Sequence, residues 1–258
     1  PHRLDAEKLQ SAFEVGRIGS VLNCAGHAYP TSQWRELVSG IQDASMQAKG
    51  LPAIYGVDAI HGATFTSGAA LGPQQIALAA TWDTLLVRQM AEATAQEIDA
   101  CGIPWNFAPV LDVGRDPRWP RFWETFGEDV KLVGDMGVAM VRGFQDGPVT
   151  VAATLKHYLG YSSPWSGKDR TPAYIPERQL REIYLPPFAQ AVNAGAMTVM
   201  VNSGEMNGIP THVNRFVLTD ILRGELKFEG LAVTDWEDIK YLVSRHKVAP
   251  TYKDAIRM

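Results

Sequence analysis

Six short apolar runs, each closing on a polar or charged cluster, constrain this sequence more than any other feature. They fall at residues 18–23, 52–58, 103–110, 151–157, 197–202 and 231–235. Apolar runs of about 4–8 residues bounded by turn residues are the pattern of strands buried on both faces of a parallel sheet. Between them lie stretches at helical spacing. Residues 81–100 carry Leu85, Leu86, Met90, Ala93 and Ile98 and stop before Gly102, a suitable C-terminal glycine. Residues 129–145 repeat Val133, Met136, Met140, Val141 and Phe144, and 176–194 predict a helix that Pro186 and Pro187 should kink or divide. A shorter helix is expected at 218–226. Strand, helix, strand in repeated order means βαβ units.

No internal repeat, low-complexity tract or linker marks a boundary, so the economical reading is one α/β domain over 1–258. Two architectures stay open at this point, an open doubly wound sheet and a closed barrel. Neither G-x-G-x-x-G nor G-x-x-x-x-G-K-[ST] occurs, although a doubly wound nucleotide binder would carry a glycine-rich phosphate loop after an early strand. Reactive residues sit instead at the carboxyl ends of several runs, the face on which barrel enzymes build their sites.

Composition removes several function classes. Hydrophobic residues are 46% and charged residues 20%, far from a disordered mix. The net charge of −4 provides no basic field for a phosphate backbone, so no nucleic-acid partner is expected. No apolar stretch approaches the ~20 residues of a membrane span. The N-terminus opens directly into charged residues, which leaves a cytoplasmic protein or a mature, trimmed chain. Cys24 and Cys101 are too few for a disulfide framework and read as small buried hydrophobes. No metal site is expected: His61, His157 and His212 are far apart, with no H-x-x-x-H or C-x-x-C spacing. No G-x-S-x-G elbow supports a serine hydrolase.

Four run ends supply the chemistry: Asp58, the pair Lys156 and His157, Asn202 with Ser203, and Asp235 with Trp236. For any one aspartate the competing reading is a helix N-cap. Four such ends converging favour a site. The arginine-rich segment at 114–121 reads as a solvated loop or as the source of a substrate clamp. Trp105, Trp119, Trp123, Trp165 and Trp236 are candidates to line a cleft, since flat aromatic faces stack on sugar rings. Carboxylates, a Lys-His pair, arginine and tryptophan make a carbohydrate-handling set.

The motifs extend this. Gly-Val-Asp-Ala-Ile-His-Gly at 56–62, Phe-Ala-Pro-Val-Leu-Asp at 107–112 and Arg-Asp-Pro-Arg-Trp-Pro-Arg at 115–121 are followed by Glu-Thr-Phe-Gly-Glu-Asp at 124–129 and Lys-His-Tyr at 156–158. Leu-Thr-Asp-Ile-Leu-Arg-Gly at 218–224 then leads to Gly-Leu-Ala-Val-Thr-Asp-Trp at 230–236. In this order they resemble the N-terminal catalytic domain of family 3 glycoside hydrolases, the β-glucosidases and related exo-acting enzymes. The resemblance implies a (β/α)8 TIM-like barrel, incomplete in this chain, and a retaining mechanism without cofactor or metal. It makes Asp235 the nucleophile and sets Asp58, Arg121, Lys156, His157, Met200 and Trp236 around the sugar. In such a mechanism a second carboxyl group ~5–5.5 Å away serves as acid and base.

Some positions depart from the family pattern. Pro120 replaces a common glycine, and Ser203 stands where some relatives have tyrosine. The segment Lys-His-Tyr-Leu-Gly-Tyr-Ser at 156–162 lacks the histidine loop of the N-acetylglucosaminidase branch, which favours glucosides. No acid/base is assigned. Glu237 and Asp238 read as first-turn residues favoured by a helix dipole, and Glu205 is a local candidate only. Five or six strands where eight elements are expected, and the unassigned acid, imply a fragment of a longer multidomain enzyme whose C-terminal domain packs on the barrel. A periplasmic or extracellular location is what the resemblance favours. Two other readings stay open: a sugar-binding barrel without catalysis, and a barrel enzyme of different chemistry, such as an aldolase using Lys156 as a Schiff base.

Overall fold

The computed structural model describes residues 3–24 and 26–258; the first two residues of the charged N-terminal segment fall outside that set. The chain runs α1 (Ala6–Glu14), β1 (Ser20–Leu22), α2 (Thr31–Lys49), β2 (Ile54–Val57), α3 (Gln75–Ala79), α4 (Thr84–Ala100) and β3 (Trp105–Asn106). It continues through α5 (Val130–Gln145), β4 (Ala152–Tyr158), α6 (Glu177–Gln179), α7 (Leu185–Asn193) and β5 (Thr198–Val201). The hairpin β6 (Glu205–Met206) and β7 (Ile209–Pro210) precedes β8 (Leu231–Val233), α8 (Asp238–Ser244) and α9 (Tyr252–Arg257).

Strands β1, β2, β3, β4, β5 and β8 form one sheet in chain order, every pair parallel. A doubly wound sheet reverses its strand order at a switch point. This sheet never reverses, which selects the barrel-type progression and meets the expectation of an incomplete (β/α)8 arrangement. Each of the six apolar runs corresponds to one of these strands. All are shorter than their runs except β4, which continues one residue past its run to Tyr158.

The helices are set by their caps and their small residues. Asp83 caps α4 through Leu85 N and Leu86 N, and Asp129 caps α5 through Leu132 N. On α5 the expected face is the buried one: Val133, Met136, Met140, Val141 and Phe144 all lie in the core. On α4 the expectation holds only at Ile98, which is buried, and at Met90, which packs partly against the core. Leu85 and Leu86 are exposed, and the buried face is Val87, Ala91, Ala95 and Ile98. Small residues win there because α4 and α5 approach closely; a Cβ on Gly143 would stand 2.5 Å from that of Ala91.

The helix expected at 176–194 is not divided by its prolines: it runs unbroken from Glu177 to Asn193 and changes its winding instead. Pro186 and Pro187 occupy the first turn of α7, and Leu180–Tyr184 just before them winds as a π-helix. A proline without an N–H leaves an upstream carbonyl without its i−4 partner, and the turn widens. The helix expected at 218–226 is also π-helical, over Phe216–Glu225. Cys101 is buried as expected, whereas Cys24 is only half-buried. No helix is long and apolar enough to cross a membrane among the described residues.

Candidate active site

Strand ends β2, β4, β5 and β8 open onto a cleft of about 300 Å³. Asp58, Arg121, Lys156, His157, Met200 and Asp235 all line it, six of the seven residues singled out from the sequence. Trp236 does not. It follows β8, at the edge of the sheet, and is 62% exposed. Trp105 and Trp119, offered as cleft residues, are core: the Trp105 indole N–H donates to Thr154 and Thr198 Oγ1, and that of Trp119 to Asp169. Each indole therefore has its polar atom satisfied inward. Trp123 lines the cleft, and Trp165 is exposed. A larger hollow of about 690 Å³ between α4, α5 and α7 has no comparable convergence of groups.

Asp58 is held on both oxygens. Lys156 Nζ donates to Oδ1 at 2.6 Å and Asn23 Nδ2 to Oδ2 at 2.7 Å. Burial works to raise this carboxyl, but Lys156, Asn23 and Arg121 outweigh it and hold its pKa below the ordinary value. Lys156 is buried and paired as an ammonium, the opposite of the free amine that a Schiff base requires.

Arg121 meets Glu124 in a two-pronged pair, Nε–Oε1 2.8 Å and NH2–Oε2 2.7 Å, and its NH1 donates to Tyr161 Oη at 3.3 Å. Burial opposes the charge, yet Glu124 more than compensates, and the guanidinium pKa is raised.

His157 is fixed from behind. Its backbone N–H donates to Asp112 Oδ2 at 3.1 Å, and Nδ1 lies 2.7 Å from the same oxygen. Burial pushes Asp112 up to about 8 and His157 well below its usual value, with Arg121, Lys156 and Arg170 adding to the second shift. Both directions disfavour charge on this buried pair, and the far ring nitrogen, Nε2, lies 3.9 Å from Asp235 Oδ2.

Asp235 sits deepest in contacts the sequence did not disclose. Arg170 NH2 donates to Oδ2 at 3.2 Å while NH1 holds the Trp236 carbonyl at 3.2 Å. Trp236 N donates to Oδ1 at 2.5 Å. Ser203 Oγ lies 3.0 Å from Asp235 Oδ2 and 3.1 Å from Asp238 Oδ2. Arg170, Asp112 and Asp238 were missed as site residues. For Arg170 the available signal was a cation in the loop directly after the Lys-His pair. Asp112 stands at the end of a matched motif. Asp238 starts α8 as the dipole reading expects, but its carboxyl is buried against Ser203 rather than solvated. Glu205 stands in β6 with Oε2 3.3 Å from His246 Nδ1. Among the described residues no group of three or more His, Cys, Asp or Glu is placed to hold a metal ion.

The acids lining the cleft are Asp58, Glu124 and Asp235, and each faces a cation. This arrangement can bind a polyhydroxylated, uncharged ligand and present one carboxylate to it. The description "Glycosyl hydrolase family 3 N terminal domain" matches residues 3–258. A lysosomal beta glucosidase of Dictyostelium discoideum is 47% identical over 93% of this chain and 32% of its own length. A periplasmic beta-glucosidase of Salmonella typhimurium is 31% identical over 98% of this chain and 32% of its own. Among solved structures, a β-glucosidase from Erythrobacter marinus superposes with a TM-score of 0.89 at 32% identity, covering 97% of this chain and 35% of that one. An exo-1,3/1,4-beta-glucanase from a Pseudoalteromonas species gives 0.85 at 33% identity, over 92% and 32%. The chain spans about a third of the length of these relatives.

Proposed function

The chain belongs to the glycosyl hydrolase family 3 N-terminal domain family, and from that premise we propose that it carries the glucose pocket and nucleophile of an exo-acting, retaining β-glucosidase. Residues 1–258 are then one part of a longer multidomain enzyme. Asp235 attacks the anomeric carbon, with Arg170 and Ser203 holding its carboxylate. Asp58 accepts from sugar hydroxyls. Lys156, Arg121 and His157 Nε2 donate to them, Met200 supplies an apolar wall, and Trp236 stands at the rim. The names of these relatives point to β-glucosides and β-glucans as the substrate class.

The observation that carries this reading is Asp235 itself: a carboxylate at the end of a parallel strand, lining a cleft with an arginine on one oxygen. The test is turnover of an aryl β-glucoside by the full-length protein and its Asp235→Gly variant. Turnover should vanish in the variant while circular dichroism stays native; retained turnover would refute the assignment.

One observation favours a second reading, a sugar-binding barrel without catalysis. Asp58 and Glu124 are both paired with cations, and Asp238 does not line the cleft, so none is placed to protonate a leaving group. In the leading reading the acid/base comes from the rest of the enzyme, whose C-terminal domain packs on this barrel. Calorimetry with glucose beside the hydrolysis assay separates the two, because binding without any hydrolysis by the full-length protein supports only the second.

A further inference from the structure

Ser203 has one hydroxyl proton and stands between two carboxyl groups. Its Oγ is 3.0 Å from Asp235 Oδ2 and 3.1 Å from Asp238 Oδ2, and it can donate to only one of them. If both acids were ionised, the other contact would set two oxygen lone pairs against each other inside the protein. The surroundings of Asp238 decide which acid keeps a proton. Its side chain is 1% exposed, and Oδ1 has no hydrogen-bond partner among the described residues. Oδ2 accepts the Asp235 backbone N–H at 3.2 Å.

Four other titratable or charged groups face this pocket. Arg170 NH1 is 3.8 Å from Asp238 Oδ1 and commits NH2 to Asp235 at 3.2 Å. His212 Nε2, from the turn after β7, is 3.4 Å from Asp238 Oδ2 without a hydrogen bond. His246, from the end of α8, pairs with Glu205 rather than with Asp238.

We propose that Asp238 is a positioning residue which keeps its carboxyl proton, donates it to Ser203 Oγ, and so directs the Ser203 hydroxyl onto Asp235, leaving Asp235 the single anion of the pair. Rotamer and proton are then fixed together. The chain Asp238 Oδ2–H to Ser203 Oγ–H to Asp235 Oδ2 has every donor facing an acceptor, and Asp238 Oδ2 still has a lone pair for the Asp235 N–H. Burial, followed by the charge of Asp235, pushes Asp238 up to about 7. Burial holds His212 down to about 4, so it supplies no compensating cation at neutral pH.

The role rests on Asp235 being the nucleophile, but the proton's location does not, and the test separates them. Infrared difference spectra of the full-length protein at pH 5.5, native minus Asp238→Asn, should show a protonated carboxylic-acid band lost in the variant. Its absence overturns the proposal. In kinetics with a dinitrophenyl β-glucoside, whose leaving group needs no acid, native kcat should fall as pH rises through the ionisation of Asp238. Asp238→Asn cannot ionise, and its amide can serve Ser203 or the Asp235 N–H but not both. Its kcat should drop about tenfold at pH 5.5, with KM nearly unchanged, and lose that pH dependence. Ser203→Ala, which removes only the relay oxygen, should do the same if Asp238→Asn fails to fold. A basic limb that persists in both variants overturns the proposal. Lack of turnover in the native protein sinks the glucosidase reading instead, and the infrared band still reports where the proton sits.

Discussion

Removing Lys156 should destabilise the protein less than removing its partner Asp58, because the two ends of this pair are unequally wet. Lys156 is 3% exposed at its side chain and Asp58 34%. Breaking a buried ion pair by deleting one member costs about 3–5 kcal/mol, most of it the penalty on the charge left behind. Asp58→Asn strands a dry ammonium and should cost that full ~3–5 kcal/mol. Lys156→Met strands a carboxylate that water reaches and that Asn23 still bonds, which places its cost at about 2–3 kcal/mol. For a domain of this size the second figure is a fall in melting temperature of about 4–12 °C. The pH dependence identifies the cause. Asp58 has its folded pKa depressed, so the stability it contributes is fully present above its unfolded value of about 3.9 and is lost as pH falls through the folded one. The Lys156→Met deficit should therefore be largest near pH 7 and shrink towards pH 3.5. Chemical denaturation followed by tryptophan fluorescence at both pH values, with the double variant closing the cycle, is the assay. Equal deficits at the two pH values together with additive single variants would refute the pairing argument.

Arg170→Met removes both the bond to Asp235 Oδ2 and the bond to the Trp236 carbonyl. Loss of a charged hydrogen bond of about 1.5–3 kcal/mol should lower kcat on an aryl β-glucoside ~10–100-fold, with glucose affinity by calorimetry changing less; an unchanged kcat counts against the proposed role. Gly137→Ala sets a Cβ 2.3 Å from Leu111 Cδ2, a fully buried atom in the core. Overpacking of about 1–3 kcal/mol should outweigh the ~1 kcal/mol that alanine gains in a helix, so the melting temperature falls by a few degrees, and a rise would show that Leu111 can move.

The sequence disclosed what periodicity and strand polarity can encode. Asp58, Lys156, His157 and Asp235 were legible because a parallel sheet brings every strand's carboxyl end to one face, so residues 98 apart in the chain meet at 2.6 Å. The core face of α5 was legible because its buried residues are large. That of α4 was not, because close helix packing selects Ala91 and Ala95 while Leu85 and Leu86 point outward. Arg170 was hidden for a different reason. It sits in a loop without periodicity, folded back by the Trp119–Asp169 bond, and nothing in local spacing announces a contact with a residue 65 positions later. The hairpin β6–β7 and the π-helical winding of Phe216–Glu225 arise from hydrogen-bond geometry that side-chain pattern does not specify. Asp238 shows the limit most sharply: its place at a helix start was readable, its burial behind Ser203 was not.

The charges of the cleft follow one rule. Asp58 faces Lys156, Glu124 faces Arg121, and Asp235 faces Arg170, three carboxylates against three cations. Asp169 lies further out, 30% exposed and 3.9 Å from Arg170. The two remaining acids, Asp112 and Asp238, have no cation in hydrogen-bond contact among the described residues, since burial keeps the His157 ring beside Asp112 uncharged, and both are pushed towards the protonated form by burial. A buried carboxyl group is tolerated either as a paired anion or as a neutral acid, and this site uses both solutions. The result is a cleft with little net field but many fixed donors and acceptors. Such a cleft discriminates by hydroxyl geometry, which suits an uncharged sugar, and in the proposed reaction Asp235, held by Arg170 and Ser203, is the carboxylate that a developing oxocarbenium centre would meet.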